Sequence, residues 1–507
     1  GLWCGSLYWP YAAQDWLNAP FKVLDKMSNY YVGIRVLFDS TNFWSDTVPW
    51  DYIPRWMTFT TPLFVMFGLA LAAVFAFVRS QKSTVLWLFL ATFAALFPIM
   101  YVIYQKSGLY DAMRHMLFAY TLFPVVAAFG WYSLLQYFPQ KAVKFAATSA
   151  LLVLMALPAV FMIKNHPYQY TYFNELIGGN NGAFMKYESD YWMTSMKGAC
   201  AWYDENIAQA NLQDTLIVAT NCIYPVQYYL AGKNIRTKYV RYHEREKHAW
   251  DYGIFFSRFI NRKFLLNDAW PPGELLYAEK VDDVPLGVVV KRRSSPTAEA
   301  GIAFSKKDWA NAAVLLEEIV QKNPKNESAY LLLAQTYSSN RDFPKMKEAL
   351  DKLLEISDQY SNTWGMLGAY YLNVGKQEEA KKAFLQTIEL NYKYTFGNFQ
   401  LARIYAQENN LEAAIKCLEQ FDAYGGKPAQ GYDLGMQIAQ KTGNNAQYYF
   451  FSAKKMSVNR NWGEAMKLLN SCLAIDPEYK PALKMQRDYD NAVEQQLFIN
   501  ALKEKAK

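Results

Sequence analysis

Cysteine is scarce in this chain, with five residues in 507: Cys4, Cys200, Cys222, Cys417 and Cys472. No CxxC pair and no metal-ligand spacing occurs among them, which excludes a disulfide-rich secreted domain and gives no metal site. An odd count leaves at least one thiol without an intramolecular partner. Cys200 and Cys222 either pair in an oxidising compartment or stand as two buried thiols. Charge is thin as well, 19% of residues against 52% hydrophobic, so a disordered chain is excluded. The net charge of +7 is modest and gives no reason to expect a nucleic-acid partner. A signal peptide cannot be read in the opening LWCGSLYWPY, which lacks an n-region, an h-region and a cleavage site. The chain reads instead as the later part of a longer polypeptide.

What is present divides the chain in two. Residues 296–507 hold 26 basic and 25 acidic residues, and the first 295 hold 26 and 20. Four runs in the first half, 57–78, 84–105, 115–137 and 143–163, each supply about 20 largely apolar residues, the length that crosses a hydrocarbon core. None carries a charge in its middle. Arg79 and Lys82 lie in one short connection, Lys141 and Lys144 in another, with no acid in either. The bias of positive charge toward the cytoplasm puts those two loops inside and residues 1–56, the loop 106–114 and everything after Lys164 outside. Segment 16–31 is either an interfacial amphipathic helix or a connection packed on the bundle. The aromatics of 35–56 (Phe38, Phe43, Trp44, Trp50, Tyr52, Trp56) are expected at the headgroup level. Asp39, Asp46 and Asp51 among them read as solvated carboxylates.

From 166 to 295 the pattern turns globular. A helix is expected over 192–209, with Trp192, Met196, Ala199 and Tyr203 on one face. Strands are expected at 215–220, 235–242, 252–256, 275–280 and 287–291, with Pro271 and Pro272 breaking the chain before the last pair. GGNNG at 178–182 reads as a turn, since it lacks the lysine and hydroxyl ending of a phosphate loop. His243 and His248 in HEREKH are five residues apart and do not share a helical face. An exposed charged loop is expected there.

The final 212 residues show a 34-residue period. Small residues recur at Ala300, Ala334, Gly368 and Ala402, and aromatics at Tyr337, Tyr371 and Tyr405, with Phe304 displaced by one. Ala312, Ala380 and Ala414 hold the small position of the second helix, Met346 replacing it once. Pro324 and Pro477 close their units. A helix near 431–441 is expected to break the phase. Ala453, Trp462 and Ala465 then mark another unit within 447–476, and a polar capping helix follows over 480–503. This resembles the tetratricopeptide repeat, a solenoid that binds peptides or neighbouring subunits.

Three further stretches, VLFDSTNFWSDTVPWDYIPRWMTFTTP, SGLYDAMRHMLF and HPYQYTYFNELIGGNNGAFMKYESDYW, together with the ending WPPGELLYAEKVDDVPLGVVVKRR, resemble the later half of a bacterial protein O-mannosyltransferase-like C-type membrane glycosyltransferase. The resemblance covers residues 1–293. It implies transfer of a sugar from a polyprenyl-phosphate carrier at the outer membrane face, without a cofactor. In that superfamily the catalytic acids lie in the first outer loop, which would precede Gly1. Asp39, Asp46 and Asp51 do not match that motif, so no catalytic residue is assigned. Arg114 and His115 stand at the outer end of a predicted span, where Arg can fork onto phosphate oxygens and His can add a donor. With the resemblance they are the candidate lipid-phosphate contacts. The competing role for Arg114 is a pair with Asp111 or snorkelling to the headgroups.

The expected architecture is therefore multidomain. It has an outer segment (1–56), a bundle of four transmembrane α-helices (57–165), a small α/β extracytoplasmic domain (166–295) and an all-α repeat solenoid with its capping helix (296–507). The expected protein is a component of a membrane glycosyltransferase in a bacterial inner membrane, its sheet and repeats on the periplasmic side. Its partners would be a lipid-linked sugar donor and a protein acceptor or assembly partner held by the repeats. A non-catalytic, membrane-anchored scaffold for an envelope complex is the alternative.

Overall fold

The computed structural model describes residues 33–78, 82–210, 214–266, 275–292, 296–426 and 429–505, with Asn18 and Trp270 besides. Segment 16–31, Cys4, Arg79, Pro271 and Pro272 lie outside the described residues, Asn18 excepted. Two compact units divide the chain, 1–306 and 307–507.

The first unit opens with a hairpin of β1 (Arg35–Phe38) and β2 (Thr41–Trp44), pairing Phe38 with Thr41. Its two turn residues, Asp39 and Ser40, both have positive φ, 45° and 69°. That is the backbone of a tight turn whose twist matches the strands. The longer helices that follow are α1 (Tyr52–Thr60), α2 (Leu63–Val78), α3 (Lys82–Tyr104), α4 (Leu122–Tyr137) and α5 (Lys141–Lys164), with a single turn, Leu117–Tyr120, before α4. The expected span 57–78 is not one helix, because α1 and α2 meet at a bend of 111°. Pro62 excludes its predecessor from helical backbone, and Thr61 is extended, with ψ 127°. Three helical segments, Lys82–Tyr104, Arg114–Tyr137 and Lys141–Lys164, are long and apolar enough to cross a membrane, or four if the bent pair counts as one.

Small residues bring α2 and α4 together. A Cβ added to Gly130 would lie 2.0 Å from the Gly68 carbonyl oxygen, and one on Gly68 2.7 Å from the Ala127 Cβ. The backbones therefore touch, and the Trp131 indole donates to the Phe64 carbonyl at 2.8 Å. Where α1 bends into α2, the Asn174 amide donates to the carbonyls of Thr58 and Thr61 at 2.7 and 2.8 Å, pinning carbonyls at the bend. Phe38, Tyr52 and Trp56 are core residues here, each at most 2% exposed, and not the interfacial anchors expected. Trp50, 73% exposed, remains on the surface.

A five-stranded sheet comes next, in the order β4-β3-β5-β7-β6. β3 (Leu216–Thr220), β4 (Ile235–Tyr239) and β5 (Tyr252–Phe256) are parallel; β7 (Val284–Lys291) runs antiparallel to β5 and to β6 (Leu275–Val281). Against it α6 (Ser195–Tyr203) buries Met196, Ala199, Cys200 and Tyr203. The expected helix 192–209 starts three residues late because Asp190 caps it, accepting from the amides of Thr194 and Ser195 at 3.0 and 3.1 Å. Trp192 stays outside the helix. Cys200 and Cys222 are two separate buried thiols. The expected strand 235–242 ends at Tyr239, and Tyr242–Lys247 forms a tight 3₁₀ turn. α7 (Pro296–Ser305) closes this unit, Gly301 lying so near this turn that a Cβ would sit 2.7 Å from the Glu246 carbonyl. The helix expected to open the repeats therefore belongs with the sheet.

The second unit is all helix: α8 (Trp309–Lys322), α9 (Glu327–Ser339), α10 (Phe343–Ile356), α11 (Ser361–Asn373), α12 (Gln377–Leu390), α13 (Thr395–Gln407), α14 (Leu411–Ala423), α15 (Ala429–Thr442), α16 (Asn445–Val458), α17 (Trp462–Ile475) and α18 (Lys480–Lys505). Helices α9, α11, α13 and α15 begin 34 residues apart, as do α10, α12, α14 and α16. The period therefore runs through 431–441, where the small-residue pattern is expected to break it. The turns carry it. Lys307, Arg341, Gly375, Asn409 and Gly443 are all left-handed. After four of them Asp308, Asp342, Asn410 and Asn444 cap the next helix, satisfying one otherwise unpaired amide. Lys376, in the same place, makes no side-chain cap.

Packing explains the small positions. Ala334, Ala380, Ala402, Ala414, Ala453 and Ala465 are fully buried. A Cβ on Gly368 would lie 2.6 Å from the Phe384 ring, and one on Gly435 equally close to Phe451. Both pairs are 16 residues apart, so α15 packs on α16 as α11 packs on α12. The motif residues Ala453 and Ala465 show α16 also serving as the first helix of the next hairpin.

Candidate functional site

The loop between α3 and α4 carries two successive left-handed residues, Asp111 (φ 57°) and Ala112 (φ 58°). Such backbone costs energy in residues with a Cβ and persists only where its surroundings hold it. Here the hold is electrostatic. Asp111, 5% exposed, accepts from Arg114 Nη1 at 2.6 Å through Oδ2 and from Arg258 Nη2 through Oδ1. Arg258 leaves the end of β5. Its Nε reaches Glu188 Oε1 at 3.1 Å and its Nη1 the Tyr191 carbonyl at 2.8 Å. Its side chain and that of Glu188 are almost completely buried.

Buried Arg258 and the more exposed Arg114 thus balance two buried carboxylates. Burying unpaired charge is expensive, so each partner holds the others in place. Burial pushes the Glu188 carboxyl up to about 7, against the pull of Arg258 and with a further push from Asp111. The two carboxylates hold the Arg258 guanidinium above its ordinary value despite burial.

Beside this network is a cavity of about 360 Å³. The ends of apolar helices form one wall through Leu117, Pro158 and Met162; aromatic side chains form another through Trp56, Tyr170, Tyr172 and Trp192. Tyr170 and Trp192 stack with ring centroids 5.3 Å apart, and the Tyr170 hydroxyl donates to Asp190. Among the described residues, Arg114 is the single cation lining the cavity, and no lining residue is Asp, Glu or His. Two lining residues carry buried donors with no acceptor among the described residues, Trp56 Nε1 and the Tyr172 hydroxyl. Buried polar groups without partners are rare and costly. The arrangement suits a ligand with an apolar portion and an anionic head.

Arg114 therefore both pairs with Asp111 and lines the cavity. His115 does not join it. Its ring meets Tyr110 edge-on at 4.7 Å, outside the lining set. Sequence reasoning weighed Asp111 only as a rival partner of Arg114, and it missed Glu188 and Arg258 entirely. HEREKH is no exposed loop, since Glu246 is buried near Arg245 and Arg292 at 3.9 and 3.8 Å, with Arg292 over Trp250. Burial and three neighbouring arginines depress His243 to about 3, so it is neutral at physiological pH. No group of three or more metal-ligating side chains occurs among the described residues. Burial raises the Cys200 and Cys222 thiols to about 12, which makes them poor nucleophiles.

The repeat unit has a cavity of its own, about 390 Å³, where α11 and α13 face one another. Asn373, Gln377, Gln400, Arg403 and Gln407 supply its polar lining and Phe396 an exposed ring.

Comparison with known proteins bears on this second unit. Tetratricopeptide repeat family models match residues 303–370, and 361–394 with 397–422. Anaphase-promoting complex subunit 3 of Schizosaccharomyces pombe is 27% identical over 86 residues, 17% of this chain and 13% of that protein. Human cilia- and flagella-associated protein 70 is 32% identical over 90 residues, 17% of this chain and 8% of that protein. The chain spans about a tenth of the length of these curated relatives. Among solved structures, MamA aligns with 38% of this chain and 96% of its own at 17% identity and a TM-score of 0.27. PilW, a type IV pilus biogenesis factor, covers the same shares at 15% identity and a TM-score of 0.27. Residues 303–422 are tetratricopeptide repeats, a helical solenoid of the kind that mediates protein–protein contacts, joined in this chain to a small sheet and a set of long apolar helices.

Proposed function

We propose that this chain is a membrane-embedded component of a glycosyltransferase. The cavity beside Arg114 holds the phosphate and first sugar of a polyprenyl-phosphate carrier, and the repeats hold a protein partner or acceptor. The apolar helices lie in a bacterial inner membrane, with sheet and repeats on the periplasmic side. The supporting observation is the cavity's furnishing: one guanidinium, an aromatic wall, an apolar wall, and no carboxylate among the described lining residues. Arg114 forks onto the phosphate. Asp111 keeps its bond from Arg258 through its other oxygen. The stacked Tyr170 and Trp192 offer a flat apolar face to a sugar ring, and the apolar helix ends take the first isoprene units. Transfer also needs a base for the acceptor hydroxyl, and no lining residue can act as one. The role assigned to these residues is therefore donor binding and orientation.

The test is photocrosslinking of the purified full chain with a polyprenyl-phosphate sugar bearing a diazirine on its first isoprene unit. Labelled peptides from 112–120 and 158–173, lost in Arg114→Ala, support the reading. Labelling spread along α3 and unchanged in Arg114→Ala contradicts it and leaves the anchored scaffold, for which the repeats alone speak.

A further inference from the structure

Glu188 does not line the cavity, yet its charge is tied to whatever enters there. Its Oε1 accepts from Arg258, and its Oε2 is buried with no hydrogen-bond partner among the described residues. The groups around it come from four segments: Arg258 after β5, Asp111 of the α3–α4 loop, the Tyr52 phenol at the start of α1, and the Leu37 amide on β1, with Tyr191 three residues on; Arg114 reaches it through Asp111. When all four charged groups are ionised, two guanidinium ions balance two carboxylates.

An anion that pairs with Arg114 breaks that balance. Arg114 turns from Asp111 to the anion, and Arg258 alone must then compensate two buried carboxylates. A low-dielectric interior does not tolerate such an excess, and the cheapest relief is to neutralise the worse solvated acid. Asp111 keeps a charge-assisted bond from Arg258. Glu188 has an oxygen, Oε2, that makes no hydrogen bond of ordinary geometry among the described residues, with the Leu37 amide its nearest backbone donor. We infer that Glu188 is a functional member of this site, taking up one proton from solvent at Oε2 when an anionic phosphate pairs with Arg114. A carboxyl poised at about 7 makes that uptake easy near neutrality. The O–H bond forms at Oε2, and no covalent bond of the protein breaks. Donor affinity is then linked to pH, and it rises as the medium becomes more acidic. Glu188 acts through Arg258 and Arg114, so it is a positioning residue.

This inference rests on the phosphate site proposed above, and the experiment separates the two. The full chain in nanodiscs is titrated calorimetrically with a polyprenyl methyl phosphate, a diester with no proton to lose near neutrality. The titration is repeated in buffers of different ionisation enthalpy. The expected result is uptake of most of one proton per bound lipid at pH 7.5 to 8, with Kd rising by up to about tenfold per pH unit there. Glu188→Gln, which keeps an acceptor for Arg258, should abolish uptake and pH dependence while binding persists. Wild-type uptake needs no variant, so a poorly folding Glu188→Gln does not obscure the outcome. Arg114-dependent binding without proton uptake overturns this inference alone, as does an unchanged pH dependence in Glu188→Gln. No wild-type binding at any pH, or binding unaffected by Arg114→Ala, overturns the site and the inference together.

Discussion

Among the described residues, the repeats satisfy most buried polar groups locally, and the first unit relies more on long-range partners. In the repeats Thr336 and Thr387 donate to the carbonyls four residues back, at 2.8 Å in each case, and the capping Asn and Asp accept from amides three residues ahead. The core between them is alanine, glycine and aromatic side chains whose sizes match. In the first unit Arg258 meets Glu188 and Asp111, 70 and 147 residues away, and Asn174 holds carbonyls more than a hundred residues earlier. The local pattern is repeated and survives a missing member, as at Lys376. The long-range pattern exists once, and each member depends on the others.

Four substitutions sharpen that contrast. Arg258→Met should cost the first unit about 3–5 kcal/mol, because it strands the buried Glu188 and leaves Asp111 to Arg114 alone. Limited proteolysis in detergent should then show cuts around 108–116 and 188–192 with residues 307–507 still resistant, and undiminished resistance in the first unit would contradict the network's role. Gly368→Leu comes next, at about 1–3 kcal/mol, since the new side chain must displace Phe384 from a filled core. Denaturant unfolding followed by fluorescence of a retained Trp364 reads it, and a wild-type midpoint would mean the helices are not in close contact there. The smallest effect is at the caps. Asn410→Ala should destabilise by about 1 kcal/mol and Lys376→Asn should stabilise by somewhat less; equal midpoints for both would show that the periodic cap carries no stability.

The same contrast explains what could be read in the sequence. The 34-residue period was legible because close helix contact demands a small residue at a fixed place, and Ala334, Gly368 and Ala402 meet that demand. The phase through 429–458 was missed because Met436 and Tyr448 occupy the marker places. The sign that survives is in the turns, where Gly443 and Asn444 follow Asn409 and Asn410. The bend at Thr61 was also signalled, by Pro62, but apolar length overrode it. Arg114 could be found as a cation at the end of an apolar run. Arg258 and Glu188 could not, since each is a lone charged residue whose meaning appears only when β5 and the segment 188–192 come together. The left-handed backbone at Asp111 and Ala112, which marks the site in space, has no residue signature of its own.

The central claim is that the cavity beside Arg114 holds a lipid phosphate, and native mass spectrometry of the full chain extracted gently from its membrane tests it most directly. The account predicts a co-purifying polyprenyl-phosphate lipid on the wild type, retained in part by Arg114→Lys and lost from Arg114→Ala, with the repeats intact in all three. Equal lipid occupancy in the wild type and Arg114→Ala, or bound lipids without a phosphate head, would contradict it.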